Sequence, residues 1–496
     1  MTGVVHAVVL WTDVLVFAMV ACVVAFAWYA RGNETLSAPW RKVVRSRRGM
    51  ISATVLALFA GVGILDSLHF DAAPSIPVKG TGEARRGAEI LSVLDVMTET
   101  LRKSQERTFS APFATHGLTK ETVTSADGTQ RREHPRLRHG GAHLADPAMQ
   151  RGGDIVRRVT QGAALAAMLW VLAVSVATGI AAHRHQVPFA EMSRRVWTAS
   201  HDVPLRAVFL ALGGLLGILV PLFLMSGAYH VLGTDKVGQD VLYQSLKSIR
   251  TGLVIGTVTT LVTLPLALAL GIMAGYFKGR VDDVIQYLYT TLSSIPGVLL
   301  IAAAVLMMQV YMDTHPEIFD SASRRADFRL LFLCIILGVT SWTGLCRLLR
   351  GETLKLRELE FVEAARAVGV RHSMIMMRHI LPNVLHIVII TTVLGFSGLV
   401  LAEAVLSYVG VGVDPTMNSF GTMINAARLE MSREPVVWWS LGAAFVFMFL
   451  LVLSANLFAD AVRDALDPRW QRDLSATSLR ERFRQALDRE VAGGRR

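Results

Sequence analysis

Four sets of residues have the types and spacing to do chemistry. Gly395-Phe396-Ser397-Gly398 places a serine among small residues inside an apolar stretch. A serine nucleophile needs a base within hydrogen-bond reach, yet no histidine follows His386. Close packing of helices in a membrane uses the same small residues. Gly233 to Gly238 has the glycine spacing of a phosphate loop but lacks the lysine and hydroxyl that must follow it. His134, His139 and His143 offer imidazoles to a metal. Gly140 and Gly141 break any helix that would align them, and no cysteine or acidic cluster completes a site, so a solvated loop is preferred and no metal is expected. Asp13 and Glu403 are acids in apolar stretches, where charge is costly and often functional, although helix packing competes as a role. None of these sets gives a route to breaking a covalent bond.

The longest polar passage of the apolar C-terminal half is 350–383, RGETLKLRELEFVEAARAVGVRHSMIMMRHILPN. Leu356, Leu359 and Val362 recur at three-residue spacing while Glu358, Glu360, Glu363 and Arg366 take the other faces, which predicts a helix. Gly369 stands where that helix ends, since glycine enters the left-handed cap conformation without steric cost. A second short helix then runs from Arg371 to Leu381, punctuated by Pro382. Together they predict a helix–turn–helix elbow on a membrane surface, about 352–382, with its charges toward water or a partner. An ordinary solvated loop is the plainer alternative.

The elements that position these residues follow from composition. The chain has 496 residues, 52% of them hydrophobic, and a mean hydropathy of +0.44, which suits a polytopic membrane protein. Nine apolar stretches are long enough to span: about 4–29, 50–70, 160–182, 207–229, 251–277, 284–311, 329–348, 384–410 and 437–460. The first lacks a basic leader and reads as a span rather than a cleaved signal. Cys22, Cys334 and Cys346 all lie in these stretches, so no disulfide framework is implied. Lys and Arg total 28 in the alternate connections 31–49, 183–206, 278–283, 347–383 and 461–496, against 7 in the short segments on the other side. The positive-inside rule therefore puts the elbow and the C-terminus in the cytoplasm and the N-terminus outside. The net charge of +11 faces cytosol and anionic lipid, and nucleic acid is not needed to explain it.

Glu363-Ala364-Ala365, three residues, Gly369, then Leu381-Pro382 resembles the signature loop of permease subunits of ATP-binding-cassette importers, with His379 in place of the usual isoleucine. The wording His379-Ile-Leu-Pro-Asn383 is similar to the dipeptide, oligopeptide and nickel branch, C-type subunit. A second segment, His230-Val-Leu-Gly-Thr-Asp235-Lys-Val-Gly238-Gln-Asp240, resembles the family's outer segment, with Val231 replacing a proline and Gln239 an arginine. Asp235 and Asp240 there read equally as helix caps and as ligand contacts. Ser294-Ile-Pro296 reads as a proline kink.

The resemblance covers roughly 205–470, and WRKVVRSRRGM within 40–70 also resembles the family's N-terminal entry; it implies an all-α permease core, 207–470, of the type I importer kind. It implies that the elbow is the coupling helix docking on an ATPase, with Glu363 as polar anchor, Ala364 and Ala365 allowing close approach, Arg366 beside them, and Gly369, Leu381 and Pro382 shaping the turn. Asp235, Asp240 and Glu403 become candidates for the pathway or outer gate. It implies a heterodimer with a second homologous permease, two ATPase subunits that bind the ATP and magnesium, and an extracytoplasmic solute-binding protein. No cofactor is expected on this chain. The site would be the bacterial inner membrane, and peptides or a related small solute the cargo.

Two other classes compete. An ion-coupled secondary carrier wants ionisable residues near mid-span and an internal repeat; few of the former and none of the latter are found. The Gly-x-Ser-Gly tetrapeptide resembles that of rhomboid-type intramembrane proteases, but the required later histidine is lacking.

The rest of the chain divides into two N-terminal spans (1–70), an outer insertion (71–159), an extra span and loop (160–206) and a tail (471–496). The insertion carries 14 basic and 11 acidic residues, and its length gives it the reach to touch an arriving binding protein or the rim of a partner. Ser92-Val-Leu-Asp95 predicts a capped helix carrying Leu94, Met97 and Leu101 on one face, while 121–146 reads as irregular. In the tail, Leu479, Phe483, Leu487 and Val491 form a stripe behind Ser478 and Glu481, suited to a membrane surface or to solvent.

Overall fold

The computed structural model describes residues 6–32, 34–71, 90–124, 130–198, 203–316 and 322–466. The tail stripe lies outside them. A short strand β1 (His6–Ala7) leads into α1 (Trp11–Arg31), an amphipathic α2 (Glu34–Arg45) and α3 (Arg47–Ser67). β2 (His69–Asp71) pairs antiparallel with both β1 and β3 (Ile90–Ser92). α4 (Val93–Met97) and α5 (Glu99–Lys103) follow, then the hairpin of β4 (Glu121–Thr124) and β5 (Gln130–Glu133). α6 (Pro147–His185), α7 (Phe189–Trp197) and α8 (Leu205–Ser226) form a separate helical hairpin with an amphipathic elbow. The remaining helices are α9 (Val241–Phe277), α10 (Gly279–Ser294), α11 (Gly297–Thr314), α12 (Ala322–Leu356), α13 (Glu360–Ala367), α14 (His372–Ile375), α15 (Leu381–Tyr408), α16 (Phe420–Glu430) and α17 (Trp439–Leu466). Five residues in π geometry, Met376–Ile380, join α14 to α15.

Among the described residues, nine helices are long and apolar enough to span a bilayer: α1, α3, α6, α8, α9, α11, α12, the continuous helix His372–Tyr408 and α17. This is a helical polytopic membrane protein. α9 is its axis and packs most extensively along α12. The approach is close because Gly271 and Gly275 face α12. A Cβ on Gly271 would lie 2.8 Å from Leu349 Cβ, and one on Gly275 2.6 Å from Thr353 Cβ. Small residues let membrane helices bring their backbones together and gain dispersion contacts. Buried clusters then fill both ends of α9. Tyr276, Leu349, Val362, Ile375 and Val384 meet at one end, and Val241, Ile249, Phe420 and Trp439 at the other.

The structure corrects several sequence expectations. The stretch 284–311 is broken rather than kinked: α10 stops at Ser294, Ile295 is extended, and only Gly297–Thr314 spans. Pro296 disfavours helix at the residue before it and supplies no N–H of its own. The segment 121–146 is not wholly irregular, since β4 and β5 pair in register from Glu121↔Glu133 to Thr124↔Gln130. The third span begins as a helix at Pro147, well before 160. The Ser92–Asp95 capping box is present, and Leu94 and Leu101 are buried as expected, but Met97 is exposed.

Candidate functional site

The passage 350–383 folds as an elbow at the end of α9, with two departures from a simple pair of helices. α12 continues to Leu356, then Arg357–Leu359 turn before α13 starts, so the expected single helix is two. Leu359 is extended and 45% exposed, off the buried stripe that Val362 occupies. The turn is held because Arg357 Nη1 donates to the carbonyl of Tyr276 at 2.7 Å. Nor does Pro382 end a helix. Leu381 N–H reaches back to Met376 O, and Asn383 Nδ2 donates to His379 O at 2.6 Å. One wide turn accommodates the proline's missing donor, and the helix runs on as α15.

Gly369 adopts φ +76°. Its N–H bonds Arg366 O at 3.0 Å and Val370 N–H bonds Ala365 O at 3.1 Å, the paired bonds of a Schellman cap. Nothing lies within 4 Å of a would-be Cβ there, so the backbone angle alone demands glycine.

Val362 and Ile375, both fully buried, press the elbow onto the α9–α12 pair. Tyr276 braces it further: its hydroxyl bonds His372 Nδ1 at 2.8 Å, and the Arg366 guanidinium sits 5.5 Å from its ring centroid. Lys278 and Glu358 pair at 2.8 Å across the same corner. Behind it, Arg350 clasps Asp282 through two bonds of 2.5 and 2.7 Å, and this clasp holds the Asp282 carboxyl below its usual range. The outward face carries Glu363, Ala364 and Arg366 with Phe361 and Val368, the last 84% exposed; Ala365 and Leu381 are half-buried and Pro382 is exposed. Among the described residues the Glu363 carboxylate has no ion-pair partner. Sequence reading missed Tyr276, His372, Phe361 and Val368. Only the tyrosine left a signal, as an amphipathic ring at the end of a span.

At the other end of α9, Asp240 accepts from the N–H groups of Leu242 and Tyr243 and so caps the helix. Asp235 does not cap it. It accepts from Val237 N, Gln239 N and Gln244 Nε2, closing its own turn. Asp240 is also buried against His230, whose Nδ1 lies 2.7 Å away, and Nε2 of the same ring is 3.4 Å from Glu106 of the insertion. Glu106 accepts further bonds from the N–H groups of Arg138, His139 and Gly140. Burial opposes charge on both His230 and Glu106. Hydrogen bonds outweigh it, raising His230 to about 9 and holding Glu106 at about 2.

The glycines of 233–238 serve this docking. With φ +74° and +77°, Gly233 and Gly238 lie against Ser110 O and Glu106 O, which a Cβ would meet at 2.6 and 1.9 Å. They admit the insertion's backbone, leaving no phosphate cradle. A raised histidine pKa contributes stability below the unfolded value near 6.5 and loses it as pH climbs through 9; the lowered Glu106 contributes above about 4.5 and loses it toward 2. His230→Gln should therefore cost most near pH 5–6.5, on the order of 3 kcal/mol, and little above pH 9. Melting temperatures of both proteins across that range check it, and a difference independent of pH would refute it.

Several acids in or beside the spans are engaged. Glu403 is 1% exposed, accepts from Ser407 Oγ at 2.6 Å and faces Gly421 of α16. Asp13 pairs with Arg250 at 2.6 Å and His69 at 2.8 Å. Lys247 bridges Asp66 and Asp95 at 2.7 and 3.1 Å, and Thr12 bonds Asp327. Ser397 donates to Asn456 Oδ1 at 2.7 Å. His386 lies about 16 Å along the same helix, out of reach as its base. His143 bonds Asp154 at 2.8 Å and His134 the carbonyl of Gly117, so these two imidazoles are used separately.

Residues 267–472 match the family described as binding-protein-dependent transport system inner membrane component. The oligopeptide transport system permease protein OppC of Mycobacterium tuberculosis is 34% identical over 242 residues, covering 49% of this chain and 77% of that protein. OppC of Haemophilus influenzae is 33% identical, covering 49% and 71%. The glutathione transport system permease protein GsiD of Pectobacterium atrosepticum is 32% identical, covering 48% and 73%.

Proposed function

We propose how this chain works from the premise that it belongs to the permease family of binding-protein-dependent ABC importers, in the dipeptide and oligopeptide branch. It is a multi-pass inner-membrane permease subunit of such an importer. In our reading, α13 is the contact through which ATPase subunits move the pathway. The observation that carries this is the exposed face of α13, with Glu363 free of an ion-pair partner among the described residues while Val362 beneath it is fully buried. A short helix fixed on one side to two long spans transmits force as a lever, and an unpaired carboxylate flanked by alanines and apolar side chains suits a groove in another protein.

Glu363 is then the polar anchor, Ala364 and Ala365 permit close approach, Arg366 contributes charge while resting on Tyr276, and Gly369 sets the elbow angle. Leu381 and Pro382 shape the turn into the span His372–Tyr408. Asp240 and Glu403 act as structural groups of the outer half, Asp235 as a turn former beside them. The partners are a second homologous permease, two ATPase subunits carrying the ATP and magnesium, and an outer solute-binding protein. The cargo is a peptide or a related small solute, as in the names of the relatives. The segment 207–470 is the permease core, and 1–70, 71–159 and 160–206 add to it. Charge asymmetry supports an outer N-terminus and a cytoplasmic elbow.

Purification of the intact complex in mild detergent tests this reading. Two ATP-binding subunits and a second permease should accompany the chain, and uptake into vesicles should require ATP. A chain that purifies alone and takes up solute on a proton gradient without nucleotide would instead favour an ion-coupled carrier.

A further inference from the structure

On the elbow side of the molecule, a groove of about 560 Å³ opens between the start of α3 and the α7–α8 junction. Its rim is cationic. Arg45 ends α2, Arg47 begins α3 and Arg206 lies in the first turn of α8, and among the described residues the lining contains no carboxylate. Neither Arg47 nor Arg206 is paired with an acid among the described residues. Its floor is apolar. Ile51 follows Arg47 by four positions and Leu210 follows Arg206 by four, so each helix presents a guanidinium and, one turn deeper, a branched alkyl group on the same face. Ile51 is 41% and Leu210 54% exposed. Val196 of α7 closes one side, and Phe189 and Trp197 of that amphipathic helix are exposed.

We propose that this groove holds an anionic glycerophospholipid of the adjoining leaflet. The guanidiniums take its phosphate, and its acyl chains run down the Ile51 and Leu210 faces. The geometry asks for an amphiphile of that kind. A free anion would satisfy the rim and leave the alkyl floor bare, and a zwitterionic lipid would bring its own cation against Arg47 and Arg206. Basic pockets between spans at a cytoplasmic surface select anionic headgroups for this reason. The groove lies where the α6–α8 hairpin meets the core, since α8 packs on α3. The lipid therefore seals that seam. The proposal rests on the permease reading only for which leaflet is meant.

Native mass spectrometry of the detergent-solubilised complex, offered phosphatidylglycerol and phosphatidylcholine with identical chains, tests it without ATP or transport. Wild-type protein should prefer phosphatidylglycerol. R47Q/R206Q should weaken that binding by roughly thirtyfold, the effect of removing two basic contacts. R184Q/R194Q, the same charge change outside the groove, should leave it intact. L210W, which fills the floor and keeps the charges, should also lose lipid and carries the test if the double variant does not fold. Equal occupancy by the two lipids, retention by R47Q/R206Q or L210W, or competition by chain-free glycerol 3-phosphate at equal concentration would overturn the proposal. Since neither nucleotide nor uptake enters the measurement, its failure leaves the importer reading standing, and failure of that reading leaves the lipid measurement valid.

Discussion

Glu363→Ala and Gly369→Val should each cut solute-stimulated ATP hydrolysis and uptake by roughly tenfold or more, while the amount of protein in the membrane stays near wild type. The two act differently. Glu363 is exposed, so its removal costs the permease nothing in packing, and on the proposed docking it deletes a charge-assisted contact with the ATPase of about 1.5–3 kcal/mol. Weaker association should follow. Gly369 holds φ +76° with open space around it, so valine meets no neighbour and is penalised only by the angle, roughly 1–3 kcal/mol. The cap that turns the chain between α13 and α14 is lost, and the lever points elsewhere even where subunits still associate. Normal coupling in both variants would reduce the elbow to a surface loop.

Arg250→Met should do the opposite, removing protein rather than coupling. Arg250 is buried in the half of α9 away from the elbow and joins Asp13 of α1, Thr12 and Ser67. Deleting one partner of a buried pair leaves the other charge without compensation, typically costing about 3–5 kcal/mol. The folded population measured by fluorescence-detected size exclusion on heating should fall sharply. Asp13→Asn combined with Arg250→Met removes the stranded charge and should recover a good part of the loss. Additive losses in the double variant would show that the two side chains do not interact.

The comparison of these two sites explains what the sequence reveals and what it hides. The elbow is legible because its determinants are local. Gly369, the alanine pair and Val362 lie within eight residues, and a left-handed cap has a strong residue preference. The nine spans are legible because a bilayer demands length and apolarity together. Asp13 read only as an odd acid because its partner stands 237 positions away, and no periodicity links them. The same holds for Glu106 and His230, separated by 124 residues. The hairpin of β4 and β5 is hard to see in the sequence, since two four-residue strands rich in Arg and Glu give little apolar alternation, although Asp127-Gly128 between them is a turn signal. Pro382 does not end its helix for a physical reason: a π turn absorbs the lost donor, while local rules for proline assume regular α geometry.

The most direct test of the account is a cross-link from the elbow itself. A single cysteine at Val368, 84% exposed beside Gly369, in a chain whose three native cysteines are replaced, should couple to an ATP-binding subunit in inverted membrane vesicles. The yield should change when ATP is trapped. A cysteine at Val237, exposed just before α9 at the end away from the elbow, should not couple to that subunit under any condition. Capture of the ATP-binding subunit by Val368 alone is the predicted result; capture by neither position, or by Val237 instead, would contradict the placement of the coupling contact on α13.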